Sequence, residues 1–488
     1  MKRIALFAIL MLLAVTCLGL APAFADEVAP APAATAAAAA TAAPAADAAA
    51  APEAPKADTG DTAFIIVSAA LVMLMTPGLA LFYGGMVRKK NVLSTMMHSF
   101  IIICLVSVIW VLYGYSLAFG PDNNGMIGSL DWAMFNNVGP DPNPDYSATI
   151  PHSIFSMFQL MFAIITAALI SGAFAERMKF SAFLLFTAIW ITVIYFPLAH
   201  WVWGLGGWLR NLGALDFAGG TVVHISSGVS GLVLAMLLGK RRGLGTTPMP
   251  PHQLPLTVLG AGLLWFGWFG FNAGSALGAN GLAGSAFVTT NTAAAAAALS
   301  WIFAEWIRQG KPTVLGAASG AVAGLVAITP AAGFVTAGSS IIIGLMSGVI
   351  CYLAVILKPR LGYDDALDAF GIHGVGGTFG AIATGIFATT TVNSAGADGL
   401  LYGSSELLVK QLIAVGASYV FAAVGTFIIY MIVNAIFKAR VTVEDEETGL
   451  DITQHGEEGY PDFAVQAGGL SSISYSSSSA SSSVVHSH

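Results

Sequence analysis

Two histidines and one aspartate are the side chains of this sequence best suited to chemistry away from water. His224 lies in DFAGGTVVHISSG, residues 216–228, eight positions after Asp216, with no further charge before Lys240. His373 lies in DAFGIHGVGG, residues 368–377, in the middle of a second apolar run. An ionisable group at membrane depth is costly, so by default it marks a pathway, a relay or a paired site. Imidazole both accepts and donates a proton near physiological pH, and two rings that meet can pass one between them. The plainer alternative is that each ring is a buried polar group satisfied by a nearby carbonyl. Asp216 also has two readings. It stands where an N-cap belongs, accepting from the first free N–H groups of a helix, or it draws a cation toward the chain.

The elements that must position these groups are membrane helices. Of 488 residues, 56% are hydrophobic and only 9% charged, whereas a soluble domain carries about a quarter charged. Fifty-five glycines fit closely packed helices, because small residues let backbones approach. The net charge of −7 says little about partners, since the acids lie mainly in loops and tail. The three cysteines, Cys17, Cys104 and Cys351, form no metal spacing and no disulfide framework. No cofactor and no nucleic-acid partner is implied.

Residues 1–25 read as a signal peptide, with Lys2 and Arg3, an apolar core and Ala23-Phe24-Ala25 before Asp26. Residues 26–60 form an Ala/Pro-rich leader that cannot bury enough surface to fold. From 61 to 437, eleven apolar runs approach the ~20 residues a crossing needs. They fall at about 62–86, 92–119, 151–175, 181–204, 217–239, 255–279, 283–307, 312–330, 337–357, 365–389 and 405–437. A tail, 438–488, follows. If the N-terminus is outside, every second connection is cytoplasmic, and apart from Lys2 and Arg3 only Lys56, Arg210 and Lys410 of the 19 basic residues fall outside. The positive-inside rule therefore predicts N-out and C-in. His224 then sits roughly 12 Å deep from outside and His373 roughly 12 Å deep from inside, at about 1.5 Å per residue. Spans five and ten, carrying one histidine each in opposite directions, predict an all-α inverted repeat of five plus five helices with one extra.

Other side chains sort by depth along the same path. Trp203 ends the fourth span, Ser275 follows Phe271 near the outer end of the sixth, and Phe158 precedes Phe162 by one turn in the third. An indole face attracts a cation, and a hydroxyl accepts from an N–H donor that a bare alkali ion lacks. Phenyl rings below them form an apolar constriction that opposes a charge, and the imidazoles lie below that. Each residue also has a local reading: Trp203 as interfacial belt, the phenylalanines as packing, Ser275 bonded back to its own helix.

Five stretches, PGLALFYGGMVRKKNVLS, LISGAFAERMKF, DFAGGTVVHISSG, FGWFGFNAGSA and FGIHGVGG, resemble the bacterial branch of the ammonium transporter / methylammonium permease / Rhesus superfamily over about 61–460. The resemblance implies eleven helices, a homotrimer with one pore per subunit, and uptake of ammonium with methylammonium as analogue. It implies an outer recruitment site of Trp203, Phe158 and Ser275, a gate of Phe162 and Phe271, twin pore histidines in His224 and His373, and an essential acid in Asp216. GLDITQHGEEGY, 449–460, is similar to the tail that meets a PII-type signalling protein. The loop from Trp203 to Asp216, with Trp208 and Arg210, is about one residue longer than the usual bacterial pattern. The implied function is nitrogen scavenging at the cytoplasmic membrane. Rivals are an ammonium sensor, for which only about 50 residues follow the last span, a passive NH₃ or CO₂ channel of Rhesus type, and an intramembrane enzyme. The enzyme lacks a nucleophile beside a base.

Overall fold

The computed structural model describes residues 55–460. The expected signal peptide, most of the 26–60 leader and the end of the 438–488 tail lie outside the described residues. Among the described residues, ten helical segments are long and apolar enough to cross a membrane: α1 Thr59–Met86, α2 Lys89–Phe119, α3 His152–Phe174, α4 Phe180–Leu212, α5 Gly220–Leu238, α6 Leu254–Ala273, α7 Gly281–Gln309, α9 Ala337–Leu361, α10 Phe370–Phe387 and α11 Glu406–Phe437. Between α7 and α9 stands α8, Val314–Ile328, which is shorter.

The short α8 has a physical cause. The Thr313 side chain caps its start through the Gly316 N–H, and Thr329-Pro330 stops it, because proline disfavours helix in the residue before it. Its 15 residues span roughly 22 Å at about 1.5 Å each, less than a ~30 Å hydrocarbon core. Packed between α7 and α9 and buried along nearly its whole length, it leaves no bare backbone to lipid.

Several element ends differ from the sequence reading, and three have a clear local cause. The α1 helix starts at Thr59 because Asp58 accepts from the Asp61 N–H at 2.9 Å. The sixth span ends at Ala273, and Leu277 takes a φ of 54°, so Ser275 sits on an exit turn. The tenth starts at Phe370 rather than 365, since Asp368 with φ 60° cannot continue a helix. A two-residue hairpin, β1 Asp122–Asn123 with β2 Ile127–Gly128, pairs Asp122 with Gly128 in the loop after α2. It is tied to α4 by His200 Nε2 on the Asp122 carboxylate at 2.8 Å.

Two ends of the bundle can be told apart: a mouth at Trp203 and a basic face at Arg241. The α5 helix runs from the mouth, where Asp216 O accepts from the Trp203 indole, to the basic face, where Arg440 bonds the Leu238 carbonyl. The α10 helix runs the other way, from Asp365 beside Lys358 to Thr389, whose N–H bonds Phe334 at the mouth. The two cross where a Cβ on Gly228 would come 2.2 Å from the Gly374 nitrogen. Only glycine permits that approach.

Beyond α11, Val443–Thr448 and Asp451–His455 fold back over the basic face. Glu446 takes Arg440 at 2.7 Å and the Arg242 N–H at 2.7 Å. Beneath this strap, Arg241 bridges Asp364 at 2.9 Å and Glu176 at 3.4 Å. Burial acts to raise both carboxyls, but hydrogen bonds and charge from Arg241, with Arg177 beside Asp364 and Arg88 beside Glu176, hold them below the ordinary range.

Candidate recruitment site and pore

At the mouth, a cavity of about 200 Å³ is lined by Trp203, Ser275, Phe162, Gln159, Arg210 and Asp145, among others. Trp203 is held from both sides: its indole donates to the Asp216 carbonyl at 2.9 Å, and its own carbonyl accepts from Arg210 at 2.6 Å. The Ser275 hydroxyl donates to the Phe271 carbonyl at 2.8 Å, one turn back on its own helix. That bond uses the serine's only proton, so toward the cavity it can act only as an acceptor. Phe158 is fully buried and outside the cavity lining; its ring packs edge-on against Phe162 at 5.0 Å.

Below the cavity, rings follow one another without a break. Phe162 lies 5.9 Å from Trp203 and 4.2 Å from Phe271, so the three rings form one contiguous group. Phe271 is carried by the π-helical turn Phe269–Ala273. Its ring lies 6.2 Å from His224, and Trp268 stacks on His224 at 5.4 Å and 20°. The His224 and His373 rings are stacked at 5.4 Å and 17°, with their Nδ1 atoms 3.3 Å apart. One Nδ1 must therefore donate and the other accept.

His224 Nε2 is buried with no protein partner. Around the pair is a cavity of only about 10 Å³, walled by Leu79, Ile165, Leu169, Leu264 and Val322 besides the rings. That is room for about one water-sized molecule. Among the described residues, no three His, Cys, Asp or Glu side chains gather to hold a metal ion.

The backbone explains why the rings meet. Both histidines ride on π-helical turns, Gly220–Ile225 and Phe370–Gly374, which open the helix by one residue and re-aim side chains. Gly219, at φ 118°, lets the chain turn sharply into the first of them. Asp216 then caps that turn. Its carboxylate accepts from the N–H groups of Gly219 at 2.7 Å, Gly220 at 2.6 Å and Thr221 at 2.7 Å, and from the Thr221 hydroxyl. Burial raises this carboxyl above its ordinary value, against the lowering effect of those donors. Its partners are all within its own turn, and it is buried away from the cavity.

The second turn has an acid that the sequence reading passed over. Asp365 stands eight residues before His373, the same offset as Asp216 to His224, and accepts from Ala369 N at 3.1 Å and Phe370 N at 2.7 Å. The repeated Asp-x₇-His spacing could have found it. Burial and the neighbouring Asp368 push its carboxyl up to about 6, against Lys358. Trp268 gave no such signal among ten tryptophans.

Among the described residues, ten helices long and apolar enough to cross a membrane define a multi-pass membrane protein. The chain belongs to the Ammonium Transporter Family, whose model matches residues 63–460. It is 62% identical over 402 residues to an ammonium transporter of Bacillus subtilis (strain 168), covering 82% of this chain and 98% of that protein. Against the ammonium transporter Amt1 of Archaeoglobus fulgidus it is 50% identical over 399 residues, covering 82% and 98%. Among solved structures, Saccharomyces cerevisiae Mep2 superposes with TM-score 0.75 at 39% identity, over 80% of this chain and 88% of that one. A sensor Amt protein superposes with TM-score 0.74 at 29% identity, over 81% and 98%.

Proposed function

We propose that the protein takes up ammonium across the cytoplasmic membrane, with the mouth outside and the basic face in the cytoplasm. NH₄⁺ is recruited where the Trp203 indole attracts the cation and the Ser275 lone pairs accept one N–H, with Phe158 backing the site. A charge cannot follow through the closed Phe162–Phe271 stack into an apolar path without heavy cost. The cation loses its proton near the gate, and NH₃ continues past His224 and His373. The proton crosses separately along the imidazole pair, one ring accepting as the other donates. The observation that carries this reading is the 3.3 Å Nδ1–Nδ1 approach directly beneath the gate, with His224 Nε2 left unpartnered.

The orientation, N-out and C-in, follows from the basic residues gathered at one face. Three copies assemble as a homotrimer, one pore each. A PII-type signalling protein meets the 449–460 segment and couples uptake to nitrogen assimilation. These features rest on the family resemblance.

Proteoliposomes given an ammonium concentration jump test the mechanism. A current is expected, abolished when His224→Ala and His373→Ala are combined; full current in that double variant would overturn the relay. Alkalinisation of the lumen without current would favour a neutral NH₃ channel. The sensor reading has one observation behind it, the 29% identical sensor Amt structure. A transport-dead variant that still controls nitrogen genes in cells would favour it.

A further inference from the structure

The mouth holds a charge of the wrong sign for a cation site. Arg210 lines the same cavity as Trp203 and Ser275. Among the described residues its guanidinium has one hydrogen-bond partner, the Trp203 carbonyl, and no carboxylate within the 4.0 Å of an ion pair. Its field reaches the lining. Burial raises the Tyr146 hydroxyl to about 12, and Arg210 is among the groups that oppose the rise. The lining also contains one carboxylate, Asp145. A structural brace for Trp203 needs only an N–H donor there, not a full positive charge.

We propose that Arg210 is a specificity-determining residue of the mouth, whose charge lowers cavity occupancy by cations according to their valence and so excludes divalent metal ions more strongly than the monovalent substrate. The proposal rests on the ammonium-recruitment reading. One unit charge across a water-filled cavity lowers monovalent occupancy about threefold, and divalent occupancy by the square of that, about tenfold. Such a field is screened by salt, with a Debye length of about 10 Å at 0.1 M and about 3 Å at 1 M. The aromatic and hydroxyl contacts are not screened in this way. The salt dependence therefore separates Arg210's charge from its hydrogen bond.

The test is the ammonium-dependent current of full-length protein in liposomes, for wild type, R210Q and R210K, at low and high ionic strength and with added Mg²⁺. At low ionic strength R210Q is expected to half-saturate at about threefold lower ammonium, and the gap to close at high salt. Mg²⁺ is expected to inhibit R210Q at about tenfold lower concentration than wild type. R210K, which keeps the charge but not the guanidinium geometry, is expected to show the wild-type salt and Mg²⁺ dependence. If R210Q and R210K shift together at every ionic strength, or Mg²⁺ acts equally on all three, Arg210 only holds the Trp203 carbonyl and the proposal is overturned.

D145N is a second lever should R210Q fail to insert. It is expected to raise half-saturation at low salt, and an unchanged value overturns the proposal. A wild-type protein with no ammonium-dependent current would instead overturn the recruitment reading, and this proposal with it.

Discussion

The two histidine turns use the same device in opposite electrostatic settings. Asp216 and Asp365 each stand eight residues before one of the paired histidines and each cap a π-helical turn. Asp216 gathers three N–H groups and a hydroxyl, all from its own turn. Asp365 gathers two N–H groups and stands beside the Lys358–Asp368 ion pair at 2.6 Å. At the mouth, uncharged donors of one turn satisfy the acid. At the basic face, the acid belongs to a charged cluster. The comparison teaches that the geometry of the histidine is what the repeat preserves, while the charge around it is set separately at each end.

The largest effect expected from this difference is at the caps. Asp216→Ala leaves three buried N–H groups without an acceptor, at about 1–3 kcal/mol each before relaxation, so a loss of about 3–5 kcal/mol is expected. Asp365→Ala should cost about half as much. Thermal unfolding in detergent measures both, and equal losses would break the distinction between the two turns. Next comes the crossing that both turns share. Gly228→Ala pushes a methyl into the α10 backbone and should cost about 1–3 kcal/mol or more. It should also lower transport by parting His224 from His373, which currents in liposomes would detect. Removing one donor is milder: Thr221→Val takes a hydroxyl from Asp216 and should cost about 1–2 kcal/mol.

A further effect is one of pH. Asp365 is raised to about 6 in the folded protein against an unfolded value of ~4, so the folded state binds this proton more tightly. The stability it contributes is fully present below pH ~4 and lost as pH rises through about 6. Asp365→Asn should therefore gain on wild type in melting temperature between pH 4 and 6, and no further above pH 7. A flat difference would show that the Lys358 cluster, rather than burial, governs this carboxyl.

Much of this was legible in the sequence for a reason. The membrane demands helices of a set length, and polar groups at depth stand out against 56% hydrophobic residues. Hence the eleven apolar runs emerge, along with the two histidines and the order of Trp203, Phe162 and Phe271. What was hidden depends on side-chain direction. Phe158 and Phe162 are one turn apart, yet only the second lines the mouth cavity, and no periodicity in an all-apolar helix distinguishes them. The single proton of Ser275 is spent on Phe271, a choice that spacing leaves open. Asp365 stood at the expected start of the tenth span between Asp364 and Asp368, and only its offset to His373 set it apart. The short α8 could not be told from a full crossing because burial by α7 and α9, not length, makes it tolerable.

The strap over the basic face has a consequence for the timing of synthesis. Asp451 accepts from the N–H groups of Leu93 and Ser94, and so caps a helix made 357 residues earlier. At about 5–20 residues per second, the first turn of α2 waits roughly 20–70 s for that acceptor. The Asn91 side chain, which accepts from Leu450, waits as long. A chain halted before residue 451 can hold all eleven helices and still lack the cap on the second. The closure of the basic face is thus made only after every helix it covers.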